Sequence, residues 1–170
     1  TPIPSDWPTV AWDEPPVKTA AGYYPSDNLL DLMIGQEGTL GIIPRAWTRL
    51  VPEPKGVLSL IAFFTSMADC IRFVETARTG AARHSRPATP GALAPRAIEF
   101  FDHFSLQMVR SRVPDVPDEA HCALFIEVEH DGEPPLEAWW DALMDGGALE
   151  DVIVAEDAQG RERLQSVRHA

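Results

Sequence analysis

The reading of this chain turns on Gly35-Gln36-Glu37-Gly38-Thr39-Leu40-Gly41-Ile42-Ile43, which sets three glycines within seven residues between two apolar stretches. Glycine has no Cβ and tolerates positive φ. Such a run therefore marks a tight turn or a place where the backbone comes close to a ligand. The plainer alternative is a strand–turn–strand with permissive glycines.

Working outward from the run, Leu29–Ile34 reads as a short apolar helical or irregular piece, and Tyr24–Asp27 carries turn residues. Thr1–Pro16 is proline-rich and holds Trp7 and Trp12; it predicts extended or irregular chain, because proline fixes φ and moves its predecessor out of the helical region. On the other side, Thr39–Ile43 and Ala46–Val51 are β-like, with Pro44 between them. Pro52, Pro54 and Gly56 then punctuate the chain, and a domain boundary is expected there, dividing 1–51 from 52–170.

Beyond the boundary the pattern is regular. Val57–Phe64 is an apolar run of strand length. Ser66 is placed to cap a helix with Asp69 three residues on, and Met67, Cys70, Ile71, Val74 and Ala77 follow helical spacing. Ala81–Pro95 reads as a long loop. Arg96–Phe101 predicts a strand, and Asp102 the cap of a helix reaching about Arg112. In His121–Glu129, Cys122, Leu124, Ile126 and Val128 alternate against Ala123, Phe125, Glu127 and Glu129, as in a strand. Pro135 suits a first helical turn, Leu136, Trp139, Trp140, Leu143 and Met144 form an apolar stripe, and Gly146 is the expected C′ residue. Val152–Ala155 predicts a strand, and a last helix runs into Arg168. Taken alone, this fourfold βα alternation points to a parallel sheet.

The 170 residues suffice for one domain or one and a half small ones. Lys and Arg total 14 against 26 Asp and Glu, a net charge of −12 that argues against nucleic acid and anionic membrane as partners. No apolar run approaches the ~20 residues of a membrane helix and no signal peptide is visible, so the expected location is the cytoplasm. Cys70 and Cys122 read as small buried hydrophobes, a disulfide between them being the alternative. The proline-rich start without a methionine, and a helical pattern still running at Ser166–Ala170, predict a piece of a longer protein.

The glycine run, with Asp31-Leu32-Met33-Ile34 leading into it and Lys18 preceding Gly22-Tyr23, resembles the flavin-binding end of the FAD-linked oxidases, the superfamily of vanillyl-alcohol oxidase and of D-lactate and glycolate dehydrogenases. Members typically read D-L-x-I-G-S-E-G-T-L-G-I, and Gln36 stands where serine is usual. The resemblance implies an α+β fold: a ferredoxin-like cap domain, an antiparallel sheet with helices on one face and a helix inserted between the two middle strands. Residues 1–51 would be the C-terminal part of a FAD-binding domain, and 52–170 part of the cap domain. It also implies FAD as cofactor, a small-molecule substrate and an electron acceptor that the residues do not identify.

Carried across residue by residue, the resemblance implies flavin contacts from Glu37, Gly38, Thr39, Leu40, Gly41, Ile42 and Ile43. For Leu40 and Ile42 the alternative is core packing. Lys18 reads as a surface lysine. In the 2-hydroxy-acid dehydrogenases of the family, an arginine at the end of the last cap-domain helix, in a pattern like L-W-x-L-R, holds the substrate carboxylate. Leu164-Gln165-Ser166-Val167-Arg168 matches with Gln165 in place of the tryptophan, which makes Arg168 the candidate; the alternative is an exposed arginine favoured by the helix C-terminus. No catalytic residue is identified.

His84, His103, His121, His130 and His169 show no tight metal-ligand spacing. Alternation sets Cys122 on the opposite face from His121, Glu127 and Glu129, so no metal site is expected. Glu127, Glu129, Asp131 and Glu133 read as a solvated acidic edge. The function expected is part of a FAD-dependent oxidoreductase acting on a small 2-hydroxy acid, inactive as an isolated piece. Two alternatives stand beside it. One is a non-catalytic ferredoxin-like ligand-binding or dimerisation module, a homodimer pairing exposed sheet. The other is a flavin-dependent transferase like alkyl-dihydroxyacetone-phosphate synthase.

Overall fold

The structure, a computed structural model, describes residues 22, 29–80, 93–110, 115–155 and 157–166. The chain divides into two compact units, Thr1–Val51 and Pro52–Ala170.

In the second unit, Leu58 to Phe64 and Cys122 to Val128 are apolar at nearly every position, and each run forms most of a nine-residue strand: β1 (Gly56–Phe64) and β3 (Cys122–His130). The two pair antiparallel along their whole length, from Gly56 opposite His130 to Phe64 opposite Cys122. β2 (Ala97–Phe101) adds antiparallel to the far side of β3, and β4 (Ile153–Ala155) antiparallel to the far side of β1. The order β2-β3-β1-β4 makes one four-stranded antiparallel sheet. The parallel sheet suggested by alternation alone is not formed. α2 (Met67–Gly80) carries the chain from β1 across β3 to β2, which leaves room for β3 to insert between them.

α3 (His103–Val109) lies between β2 and β3 in sequence, and α4 (Leu136–Asp145) between β3 and β4; α5 (Ala158–Ser166) follows β4. The caps are local and legible. Asp69 N–H donates to Ser66 Oγ at 3.4 Å at the start of α2, and Ser105 N–H donates to the Asp102 carboxylate at 2.7 Å at the start of α3. Hydrogen bonding by Ser105, through its hydroxyl and then its N–H, holds the Asp102 carboxyl below its usual range. α4 ends in two glycines with different tasks. Gly147, not Gly146, takes the left-handed turn, with φ 86°. Its N–H reaches Met144 O and the Ala148 N–H reaches Leu143 O, the Schellman pattern. Gly146 has ordinary φ but no room, since a Cβ there would lie 2.8 Å from Phe73 Cδ2.

The expectation of helices on one face is corrected. On one face, Leu58, Leu60, Ala62, Phe64, Leu124, Ile126 and Val128 pack beneath Cys70, Phe73 and Ala77 of α2 and Trp139 and Leu143 of α4. On the other, Ile61, Phe63, Ala123 and Phe125 pack beneath Leu106 and Val109 of α3 and Leu164 of α5. The cause is the continuous apolar run of β1 and β3, which leaves two faces to be covered where strict alternation would leave one. The α2 stripe is also displaced: Cys70, Phe73 and Ala77 are buried, while Met67 and Ile71 are exposed.

In the first unit, α1 (Leu29–Met33) is a short helix. The β-like stretches Thr39–Ile43 and Ala46–Val51 are irregular chain rather than strands. A strand needs a ladder partner, and none of their backbone groups enters one among the described residues. Leu40, Ile42, Ile43, Trp47, Leu50 and Val51 are exposed.

Candidate functional site

Gln36 organises the glycine run. Thr39 N–H donates to its carbonyl oxygen at 2.9 Å, closing a four-residue turn whose central residues, Glu37 and Gly38, both have positive φ, 47° and 81°. This is the turn that glycine at the second central position permits. The Thr39 hydroxyl donates to the same oxygen at 2.6 Å. The Gln36 side chain is buried and faces into its own loop. Its Oε1 accepts from Leu40 N–H at 2.9 Å and lies 3.4 Å from Gly41 N, and its Nε2 donates to Gly41 O at 3.1 Å. Gln36, read from sequence as a minor departure from the family pattern, is thus the one buried polar side chain among the described residues of this unit.

The residues expected to meet a flavin differ in what holds them. Leu40 is half exposed and Ile42 almost fully so, at 92%, which contradicts core packing within the described chain for either. Ile42 and Ile43 have no hydrogen bond on their N–H groups among the described residues. Gly41 lacks positive φ, and a Cβ there would meet only Met33 Cε, at an ordinary 3.8 Å. Nothing within the described chain requires glycine at this position. Glycine also leaves the backbone open to close approach by a ligand, and an exposed extended backbone with free amides at Ile42 and Ile43 suits the polar edge of a flavin. The residues present fit that cofactor. Lys18 and Tyr23 lie outside the described residues.

In the second unit, the polar residues gather on the sheet face covered by α5. Glu127 is buried on β3 rather than solvated; only Glu129, Asp131 and Glu133 of the acidic run are exposed. Gln165 Nε2 donates to Glu127 Oε1 at 2.8 Å, and Arg96 Nε lies 3.8 Å from Oε2. Arg96 also approaches Glu129, at 3.3 Å. Ser59 stands opposite Glu127 in the β1–β3 register, fully buried, its hydroxyl without a partner among the described residues. The signal for Glu127 was present in the alternation, which places it on the same face as the buried Phe125. Arg168 lies outside the described residues, two beyond the end of α5.

No group of three or more metal-binding side chains occurs among the described residues. His121 stacks on His103 with ring centroids 5.1 Å apart, while Cys122 is buried on the α2 side, so the two faces are separated as expected. Cys70 and Cys122 are free buried thiols, not a disulfide. Burial, and then the adjacent Cys122, pushes the Cys70 thiol up to about 12. Burial also raises Cys122. No helix among the described residues is long and apolar enough to cross a membrane.

Comparison with known proteins bears on the same two units. The family described as FAD linked oxidases, C-terminal domain, matches residues 53–170. The chain is 30% identical over 164 residues to a D-lactate dehydrogenase of Anaerostipes hadrus, covering 90% of this chain and 31% of that protein. It is 31% identical over 157 residues to a probable mitochondrial D-lactate dehydrogenase of Danio rerio, covering 91% of this chain and 28% of that protein. It is 29% identical over 111 residues to the glycolate oxidase subunit GlcD of Bacillus subtilis, covering 65% of this chain and 20% of that protein. The chain therefore spans less than a third of the length of these relatives.

Proposed function

This chain belongs to the FAD linked oxidases, C-terminal domain family, and from that premise we propose that it is part of a FAD-dependent oxidoreductase that oxidises a small 2-hydroxy acid to the 2-oxo acid. Residues 1–51 are read as the end of the FAD-binding domain and 52–170 as part of the cap domain. The observation that carries the cofactor assignment is Gly41: a glycine whose φ and surroundings do not require it, in an exposed stretch with unengaged amides. The substrate class is supported by the names of the relatives, two D-lactate dehydrogenases, one of them a probable one, and a glycolate oxidase subunit.

The chemistry supplied by FAD, when bound, is acceptance of the hydride lost from the substrate's carbinol carbon. The work of this chain's own residues is placement. The Glu37–Ile43 backbone would hold the cofactor edge, and the Arg168 guanidinium would take the substrate carboxylate through its planar pair of N–H donors. Within the second unit, helices pack on both faces of the sheet and make a rigid support for α5, the helix that precedes Arg168 in sequence.

The test is anaerobic reduction of the full protein's bound flavin by D-lactate and by glycolate, in wild type and Arg168→Lys. The proposal expects bleaching of the flavin bands by at least one of the two acids. It expects the lysine variant to need at least tenfold more substrate, since an ammonium cannot reproduce the bidentate fork. A fully loaded protein reduced by neither acid would overturn the substrate class. Unchanged substrate dependence in Arg168→Lys would overturn the role of Arg168.

A further inference from the structure

We propose that the Gln36 carboxamide is a positioning group for FAD: it consumes the Leu40 N–H and the Gly41 carbonyl inside the loop, and so leaves the Ile42 and Ile43 N–H groups as the donors that meet the cofactor's polar atoms. The inference rests on the reading of Glu37–Ile43 as the flavin-facing stretch, and it narrows that stretch to two donors and one organiser.

The orientation of the carboxamide is determined by its partners. Leu40 N can only donate and Gly41 O can only accept, so Oε1 must face the first and Nε2 the second. Both bonds span four or five residues of the same loop and close it as a side-chain bracket across the turn at Glu37 and Gly38. Gly41 N–H, 3.4 Å from the same Oε1, is drawn toward the bracket by a long, weak contact. Past the bracket the chain runs extended and irregular, with Ile42 92% exposed and no intramolecular bond on the N–H of Ile42 or Ile43 among the described residues. A serine at this position carries its oxygen on Cβ, two carbons short of the glutamine amide, and cannot bridge Leu40 N–H and Gly41 O together. The bracket is therefore a property of this chain's glutamine.

The test uses the full protein, apo and FAD-loaded, with residue-resolved hydrogen–deuterium exchange, FAD titration and the visible spectrum of the bound flavin. In wild type, Leu40 N–H is protected with or without FAD, while Ile42 and Ile43 exchange freely in the apo form and slow at least tenfold when FAD is added. In Gln36→Leu and Gln36→Ala, Leu40 loses its protection in the apo form. The FAD dissociation constant rises about tenfold, the net worth of one or two neutral hydrogen bonds. At saturating FAD the variants' flavin bands shift from the wild-type positions, which a loss of general stability does not produce. Wild-type affinity and spectrum in both variants, or Ile42 and Ile43 exchange unaffected by FAD, would overturn the proposal while leaving the cofactor assignment standing. A wild-type protein that takes up no FAD would overturn both.

Discussion

Gln165 of α5 donates to Glu127 of β3 at 2.8 Å, a hydrogen bond between residues 38 apart that fastens the last described helix to a central strand of the sheet. Glu127 is 7% exposed, so its carboxylate depends on this amide and on Arg96 in place of water. Glu127→Ala strips the part-buried Gln165 amide of its acceptor and should cost about 1–2 kcal/mol in urea unfolding. Glu127→Gln keeps an acceptor and should cost less than about 1 kcal/mol. Equal losses in the two variants would show that the hydrogen bond is not what secures α5.

The paired glycines after α4 should separate by substitution. Gly147→Asn should lose less stability than Gly147→Ala, because asparagine tolerates the left-handed region and alanine pays about 1 kcal/mol there. Gly146→Ala should instead fail by crowding, its methyl driven into Phe73 at a cost of about 1–3 kcal/mol. Thermal melts of the three variants check the ranking. A Gly146→Ala protein as stable as wild type would contradict the packing described for Phe73.

The thiol at Cys70 predicts a stability that falls in alkali. Burial pushes it up to about 12 in the folded chain, from an ordinary value of 9.0. The unfolded chain therefore releases this proton first, and the folded state loses relative stability as pH rises from about 9 toward 12. The slope contributed by one thiol is at most about 1.4 kcal/mol per pH unit. Urea unfolding at pH 8 and pH 10.5 should show a smaller decline in Cys70→Ala than in wild type. Iodoacetamide at pH 8 should leave Cys70 unmodified in the folded protein and modify it in urea.

Much of the second unit was legible because its signals are local. The apolar run Val57–Phe64, the alternation Cys122–Glu129 and the caps Ser66 and Asp102 each depend on neighbours within a few residues, and each element starts within about a residue of its expected place. What was not legible depends on distant packing. Nothing local tells that Phe73, rather than Ile71, is the residue facing the sheet, or that Ile61 and Phe63 need helices of their own. Gly146 and Gly147 are indistinguishable in sequence, and only the hydrogen bonds of Met144 and Leu143 assign the left-handed turn to the second. At the candidate site, the glycine spacing announced an unusual backbone. The role of Gln36 was hidden because a buried amide and a solvated one look alike until the loop closes on it.

The central claim is that Glu37–Ile43 faces FAD, and a visible absorption spectrum tests it most directly. The full protein and the 170-residue chain alone would be purified side by side and supplied with FAD before desalting. The account predicts flavin bands near one per protein in the full protein and none in the chain alone, because the chain spans less than a third of the length of its relatives. Absence of flavin from both, with the full protein folded, would contradict it and leave the glycine run a structural turn.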